Sequence, residues 1–412
     1  MASAAKYTTL HETCFNYPCV DNHAHPLLTA ANRDAVDFEG IIAEATGPAL
    51  LEDSVHTLAC FKATAQLAKL FNLGPDATWN DVKAKRAQLP YDELCELSLK
   101  PTNIQCILFD DGLGGVEEWC ESYKWHDRFT KSASKRIVRV EVVAQDILKT
   151  LVDASSLSYS SGTDPAYIPT LLETFAAKLT ASIQASADDP EVVGFKSVAC
   201  YRTGLDVATS CTQEDIEAAL ASCLSRYATI SKLRLDDKHL NDYVVRATLE
   251  IAGKCNKPVQ FHTGLGDNDL TLTRSSPAHL QGVIKAFPNT PFVLLHSSYP
   301  YTRDAGYLCS VYRNVYVDFG EIFPFISGTG QRAVLRQVLE LCPTNKIMWS
   351  TDGHWWPESY YLGTVQAREA LYAVLAESVR DGDLTEQQAV GMVKNALFHN
   401  ANRIYSLGLS PL

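Results

Sequence analysis

Short apolar runs alternate with longer segments of helical periodicity along most of the 412-residue chain. Apolar runs of four to eight residues between turn signals are typical of buried strands. Eight strands are predicted, at about 19–23, 104–109, 136–143, 192–198, 258–262, 292–296, 314–319 and 346–350. Helices are predicted near 145–188, with a Ser-rich turn at 155–164, near 213–254 in two pieces, and near 277–287, 303–312, 329–341, 363–380 and 385–398.

This alternation indicates parallel strands joined by right-handed crossovers, and eight such repeats can close into a (β/α)8 TIM barrel. The alternative is an open doubly wound sheet, which usually carries a Gly-rich phosphate turn after its first strand. Here the first strand leads into His23-Ala-His25-Pro26, and Gly264-Leu-Gly266 is too short and too late for a dinucleotide fingerprint. The pattern therefore favours the α/β barrel.

The first two strands are separated by residues 26–103, which we expect to be a helical insertion within one domain spanning 1–412. Helices are predicted at 41–45 and 55–71 from their apolar spacing. A further helix begins near Thr78, with Thr78 or Asn80 as its N-cap.

Composition argues against a nucleic-acid-binding, membrane-spanning or secreted protein. The chain is 46% hydrophobic and 20% charged, with a formal net charge of −12 and no basic patch suited to nucleic acid. It has no run of about 18 apolar residues for a membrane span and no apolar leader typical of secretion. The 12 cysteines form no CxxC pair, so we interpret them as reduced thiols of a cytoplasmic protein. A small-molecule substrate is the expected partner, and homo-oligomerisation is left open.

Candidate metal ligands cluster at the carboxyl ends of the predicted strands. His23 and His25 share one face because side chains alternate along a strand. His262, His296 and Asp352 each end or follow a later apolar run. In a barrel, these strand ends meet at the face that carries the active site. The residue types suit one or two divalent ions, with zinc preferred and manganese the alternative. Asp352 is also the candidate proton shuttle.

Lys196, near the end of the fourth strand, has two interpretations. A buried ammonium is costly unless it is paired. Reaction with carbon dioxide would give a carbamate that bridges two ions, one held by His23, His25 and Asp352 and the other by His262 and His296. The alternative is an ordinary lysine that pairs with a carboxylate of the protein or the substrate.

Residues of the following loops are candidates for substrate binding. Arg202 and Arg303 follow the fourth and sixth strands and could clamp a carboxylate through two parallel hydrogen bonds, with surface ion pairs as the alternative. Tyr299 and His354 are further candidates for contact with substrate. Acidic residues near strand ends could orient the histidines; they are Asp110, Asp111, Glu141, Asp267 and Glu321. Trp355, Trp356 and Tyr360 line an apolar pocket or pack in the core.

The motifs resemble a known family. Asp21-x-His23-x-His25, Gly194-Phe-Lys-Ser197 and Ser350-Thr-Asp352, with His262 and His296, are similar to the amidohydrolase superfamily. The similarity is greatest to the FluG-type members of the amidohydrolase-2 branch, and it covers about residues 19–405. It implies a metal-dependent barrel hydrolase whose ligands are His23, His25, His262, His296 and Asp352. The resemblance implies a ligand role for Lys196 only by analogy with those members that have a carbamylated lysine. In fungal and plant relatives such a domain is fused to a glutamine synthetase-like domain, so this chain is expected to be a stand-alone enzyme or an excised domain.

Three functions remain open at this point. The first is hydrolysis of an amide-type C–N bond in a small carboxylate-bearing substrate, with Asp352 moving the proton. The second is non-oxidative decarboxylation of a small aromatic acid, since the same branch includes mononuclear decarboxylases. The third is a non-catalytic signalling or scaffold barrel, which has no chemical need for a complete ligand set.

Overall fold

The computed structural model describes residues 7–154 and 166–412. Within these ranges all eight predicted strands are present, in the sequential order β1 to β8, and the pairs from β1·β2 to β7·β8 are all parallel. Their bounds are β1 Cys19–Ala24, β2 Ile104–Asp110, β3 Lys135–Arg139, β4 Val192–Ser197, β5 Val259–Phe261, β6 Phe292–Leu294, β7 Val315–Asp318 and β8 Ile347–Met348. The predicted Ser-rich turn at 155–164 lies outside the described residues.

Hydrogen bonds between the first and last strands bring the sheet close to closure. The Asn22 N–H donates to the Trp349 carbonyl at 3.3 Å, and the Asp352 N–H donates to the His23 carbonyl at 3.1 Å. Trp349 directly follows β8, so these bonds join the two edges that an open sheet would leave unpaired. The prediction of a (β/α)8 barrel is confirmed, and the ends of β1 and β8 lie side by side.

Helices surround the strands. Over the described residues they are α1 Thr8–Asn16, α2 Leu58–Leu70, α3 Trp79–Gln88, α4 Tyr91–Leu99, α5 Val116–Trp119, α6 Val140–Ala154, α7 Tyr167–Asp188, α8 Ala199–Arg202, α9 Gln213–Ile230, α10 Lys238–Lys254, α11 Gln281–Ala286, α12 Thr302–Val311, α13 Ile322–Phe325, α14 Gly328–Leu341, α15 Pro357–Asp381, α16 Glu386–Lys394 and α17 Asn400–Ile404. None of these helices is both long enough and apolar enough to cross a bilayer.

The core has an inner and an outer layer. Inside the barrel, side chains such as Val20, Leu108 and Met348 form one buried cluster, and Phe398 and Tyr405 from the end of the chain join it. The Asn400 amide donates to the Ile347 carbonyl at 2.9 Å, so this last segment covers the amino end of β8. The opposite, carboxyl end of the strands is left for the candidate site.

The insertion after β1 contributes α2, α3 and α4 and packs against the barrel. A separate apolar cluster joins its buried side chains to Trp356 and Leu362. A buried ion pair, with Arg86 Nε 2.6 Å from Glu358 Oε1, ties α3 to α15. The predicted helix at 55–71 is confirmed as α2, with a 3₁₀ turn before it.

Two predicted elements are wrong, one in its type and one in its end. Residues 41–45 are not an α-helix: a 3₁₀ turn ends at Ile41, and five residues are too few to offset the cost of helix nucleation. The third strand ends at Arg139 rather than at residue 143. Val140, Ala144 and Leu148 are fully buried at helical spacing, so core packing overrides the strand preference of the valines.

Capping boxes mark the starts of α3, α9 and α16, and the predicted cap at Thr78 is confirmed. We expect Thr212→Ala to lower the free energy of unfolding by ~1 kcal/mol, because its hydroxyl accepts the Asp215 N–H at 3.1 Å. Thr229→Ala, at an exposed position in the same helix, is the matched control and should change stability much less. Chemical denaturation measures both, and equal losses would contradict the capping role.

Candidate metal centre and its cavity

A cavity of about 480 Å³ opens at the carboxyl ends of the strands. Residues predicted for the site line it together; they are His25, Lys196, Arg202, His262, His296, Asp352 and His354. His23 lies at its base with no exposed surface. The strands thus bring side chains more than 300 positions apart in the sequence to one place.

Among the described residues, two groups have the geometry to hold a cation, and His23, His25 and Asp352 form the first. The Nε2 atoms of the two histidines lie 3.2 Å and 3.5 Å from Asp352 Oδ1. The centroids of the two rings are 4.9 Å apart, and the ring planes are nearly perpendicular. This is the arrangement that the alternation of side chains along β1 predicts.

The second group consists of His296, Glu321 and again Asp352. His296 Nδ1 lies 3.4 Å from Glu321 Oε2 and 3.9 Å from Asp352 Oδ2. Both His296 and Glu321 are almost fully buried. Glu321 was expected only to orient a histidine, but the structure places its carboxylate as a candidate ligand in its own right.

The buried polar atoms of these groups fit a divalent cation. Both ring nitrogens of His296, Glu321 Oε2 and Asp352 Oδ1 are buried and have no hydrogen-bond partner in the described part of the chain. Leaving such atoms unpaired costs ~1–3 kcal/mol each, so several at one place call for a ligand. Imidazole and carboxylate donors suit zinc or manganese.

Electrostatics keep these donors in the forms that bind cations. Burial lowers the pKa of His23 to about 4 and lowers the pKa values of His262 and His296 well below their ordinary value, so the rings are neutral. Burial alone would raise the pKa of Asp352, but His296, His23 and His25 together hold it well below its usual range. A neutral imidazole and an ionised carboxylate are the ligand forms of these side chains.

A supporting shell orients His25. Its Nδ1 donates to the Asp110 carbonyl at 2.7 Å, which leaves Nε2 with its lone pair toward the cavity. The Asp110 carboxylate is held by Arg139 through bonds of 2.6 Å and 3.0 Å. The expected orienting role of Asp110 is therefore carried by its main chain.

Two buried aspartates hold the loops that carry the other ligands. Asp21 accepts the Thr351 N–H at 2.9 Å, next to Asp352, and the Thr351 hydroxyl also binds it. Asp318 accepts hydrogen bonds from the Ser350 hydroxyl and the His296 N–H. Burial raises the pKa of Asp21 to about 8 and that of Asp318 to about 6.

Residues with strained backbone angles cluster at the candidate ligands. Non-glycine residues with left-handed φ include all three candidate ligands of the second group and some of their neighbours; they are His296, Ser297, Ser298, Glu321, Asp352 and Trp355. Each such residue costs on the order of 1 kcal/mol or more and persists only where its surroundings hold it. Clustered strain of this kind is typical of functional sites.

Lys196 and His262 lie in the cavity but outside both groups. Lys196 Nζ is 3.0 Å from His23 Nε2, and burial lowers the pKa of its ammonium. His262 Nε2 is 2.8 Å from the Leu265 carbonyl, and its ring lies 4.2 Å from that of His296 between centroids. The predicted roles of these two residues as ligands stay predictions.

Of the four residues predicted to bind substrate, two line the cavity and two do not. Arg202 and His354 line it. For Arg303 the alternative of a surface ion pair holds, and the predicted contact with substrate is wrong. Its side chain is 67% exposed near the start of α12 and forms two bonds with Glu340 of α14 at 2.8 Å and 2.9 Å. Tyr299 packs against the barrel core and is absent from the described cavity wall.

The remaining acidic and aromatic candidates divide in the same way. Asp267 and Trp355 line the cavity. Asp111 pairs with Arg136 at 2.8 Å, and Glu141 accepts from the Ser197 hydroxyl at 2.7 Å, so these two have structural partners. Trp356 and Tyr360 are buried, and the Tyr360 hydroxyl donates to the His25 carbonyl at 2.5 Å.

Several residues of the cavity wall were not predicted from the sequence. Glu44 comes from the insertion, and burial with the nearby Asp352 raises its pKa to about 8. Tyr201, Arg139 and Arg234 also line the cavity. Tyr201 adjoins the predicted Arg202 and could have been inferred from that position, whereas the other three follow no motif.

Comparisons with known proteins agree with this geometry. The amidohydrolase family model Amidohydro_2 matches residues 169–407, more than half of the chain. Protein fluG of Emericella nidulans is 44% identical over 420 residues, which cover 99% of this chain and 48% of fluG. The chain therefore spans about half the length of this curated relative.

Solved structures share the fold at lower identity. A Lactobacillus casei protein described as a metal-dependent hydrolase has a TM-score of 0.80 at 23% identity and covers 97% of this chain and 98% of its own. A uronate isomerase from Bacillus halodurans has a TM-score of 0.61 at 14% identity, with 98% of each chain covered. These two structures show the shared fold. The family model and the identity to fluG show that the chain belongs to the amidohydrolase family, as a FluG-type member of its amidohydrolase-2 branch.

Proposed function

We propose that this chain is a metal-dependent hydrolase that cleaves an amide-type C–N bond in a small substrate bearing a carboxylate. The observation that carries the proposal is the set of buried nitrogen and oxygen donors without partners at the base of the cavity. A scaffold barrel has no use for such atoms, since apolar side chains of the same size would be more stable there.

The reaction needs few groups from the protein. A bound divalent cation, with zinc preferred and manganese the alternative, would bring the pKa of water toward ~7 and polarise the substrate carbonyl. Asp352, which belongs to both candidate ligand groups, would accept the proton that water gives up and pass it to the departing nitrogen. A C–O bond forms, the C–N bond breaks, and the products are a carboxylic acid and an amine.

Arg202 is the residue we assign to the substrate carboxylate. It lines the cavity, its Nε is buried without a partner in the described residues, and burial with Arg234 and Arg139 nearby lowers its pKa. An unpaired guanidinium in a cavity of this polarity favours an anionic ligand. His354 lines the same wall, and its Nδ1 donates to the Asp352 carbonyl at 2.8 Å, which leaves Nε2 for substrate.

We expect Arg202→Gln to raise KM about 30-fold with a much smaller change in kcat, because it removes a charge-assisted hydrogen bond present in both ground and transition states. Arg303→Gln is the matched control, since that arginine is paired on the surface. Steady-state kinetics on the substrate found below measure both. A loss confined to kcat would contradict the assignment.

The function is tested by a screen on protein loaded with zinc or manganese. Amides of amino acids and dicarboxylic acids are followed by amine release, and aromatic acids by release of carbon dioxide. Metal-dependent amine release supports the proposal, while carbon dioxide release alone would support decarboxylation instead. Native intact mass tests Lys196 separately, because a carbamate adds one carbon dioxide to the chain.

A further inference from the structure

A second, more polar cavity adjoins the metal-centre cavity. It has a volume of about 300 Å³, and its wall includes Arg202, Arg234 and Arg274. Arg202 and Arg234 also line the first cavity, so these two side chains stand at the junction of the two spaces. Three guanidinium groups around one cavity stand out in a chain whose net charge is −12.

The charges around this second cavity are not balanced by its own carboxylates. Asp236 is bound by Arg226, outside the cavity wall, and Asp269 pairs with Arg234 at 2.5 Å. Arg202 and Arg274 form no hydrogen bond or ion pair through their side chains within the described ranges. Two guanidinium groups are therefore left to bind an anion from solution.

The chain backbone places Arg274 at this wall. Gly204 has a φ of +95°, and a Cβ there would lie 3.0 Å from Arg274 Cβ and 3.2 Å from its Cδ. The Leu205 N–H donates to the Arg274 carbonyl at 3.0 Å, which joins the two segments. The absence of a side chain at Gly204 thus gives the stem of Arg274 room to lie along the loop after α8.

We propose that this second cavity is an anion subsite, in which Arg274 binds a second acidic group of the substrate, a carboxylate or a phosphate. The inference rests on the proposed function for the position of the cleaved bond, and it narrows the substrate class to molecules with two acidic groups. One group meets Arg202 in the first cavity, and the other extends past it into the second.

Direct binding of anions tests the subsite without any turnover. Isothermal titration of the metal-loaded full chain at low ionic strength uses inorganic phosphate, glutarate and acetate as probes. We expect phosphate or glutarate to bind more tightly than acetate, and Arg274→Gln to weaken that binding about tenfold. If phosphate binds more tightly than glutarate, the acidic group is a phosphate, and if glutarate binds more tightly, it is a carboxylate. Added salt should weaken the binding of either anion.

Matched variants separate the subsite from other anion sites. Arg303→Gln should leave the affinity unchanged, and Arg274→Lys should restore part of it if charge is what matters. Thermal unfolding checks that each variant is folded. Equal affinities in Arg274→Gln and Arg303→Gln, or no binding of either dianion, would overturn the proposal. Absence of hydrolysis in the substrate screen would count against the proposed function alone.

Discussion

Replacing Asp352 by asparagine is expected to lower the affinity for a divalent cation on the order of 1,000-fold, because Asp352 is the one residue common to both candidate ligand groups. Turnover should fall by a similar or larger factor, since the same side chain is the proposed proton carrier. Metal content by mass spectrometry and competition with a metal-sensitive dye measure the affinity without a substrate.

The choice of asparagine keeps the backbone as it is. Asp352 has a φ of +51°, and asparagine tolerates this left-handed conformation better than alanine does. Asp267→Asn is the matched control, because it removes one carboxylate from the cavity wall outside both groups. If Asp352→Asn bound zinc and manganese as tightly as Asp267→Asn does, the metal centre assigned here would be wrong.

Sequence alone could place the ligands that the strands carry. His23 and His25 share a face because strand side chains alternate, and both approach Asp352 within 3.5 Å. Barrel closure then brings the ends of β1 and β8 together, as the order of strands predicts. These inferences succeed because strand geometry and barrel topology leave little freedom at such positions.

The positions of loop side chains could not be predicted from the sequence in the same way. Arg303 lies seven positions after His296, yet it begins a helix and points outward to Glu340. Glu44 reaches the cavity from an insertion whose path no periodicity defines. Glu321 becomes a candidate ligand through a left-handed turn at φ +61°, a conformation that is uncommon for glutamate. Local backbone conformation, rather than pattern, decides where these side chains go.

A second large loss of cation binding is expected in the group that contains His296. The question there is whether Glu321 or His262 is the further ligand. We expect Glu321→Gln to weaken cation binding about 100-fold or to remove one of two bound ions, since it takes away a buried carboxylate 3.4 Å from His296. His262→Gln should cost about tenfold or less, because His262 belongs to neither candidate ligand group. Mass spectrometry of the metal content and dye competition give stoichiometry and affinity for both variants.

Comparing the Glu321→Gln and His262→Gln variants decides between two sets of metal ligands. The sequence pattern pairs His296 with His262, whereas the buried geometry pairs it with Glu321 and leaves Oε2 of that carboxylate without a partner in the described chain. Glutamine preserves the size of the side chain and removes its charge, so a loss specific to Glu321→Gln reports on the carboxylate. If His262→Gln weakened cation binding more than Glu321→Gln did, His262 would be the metal ligand, and Glu321 would only orient His296.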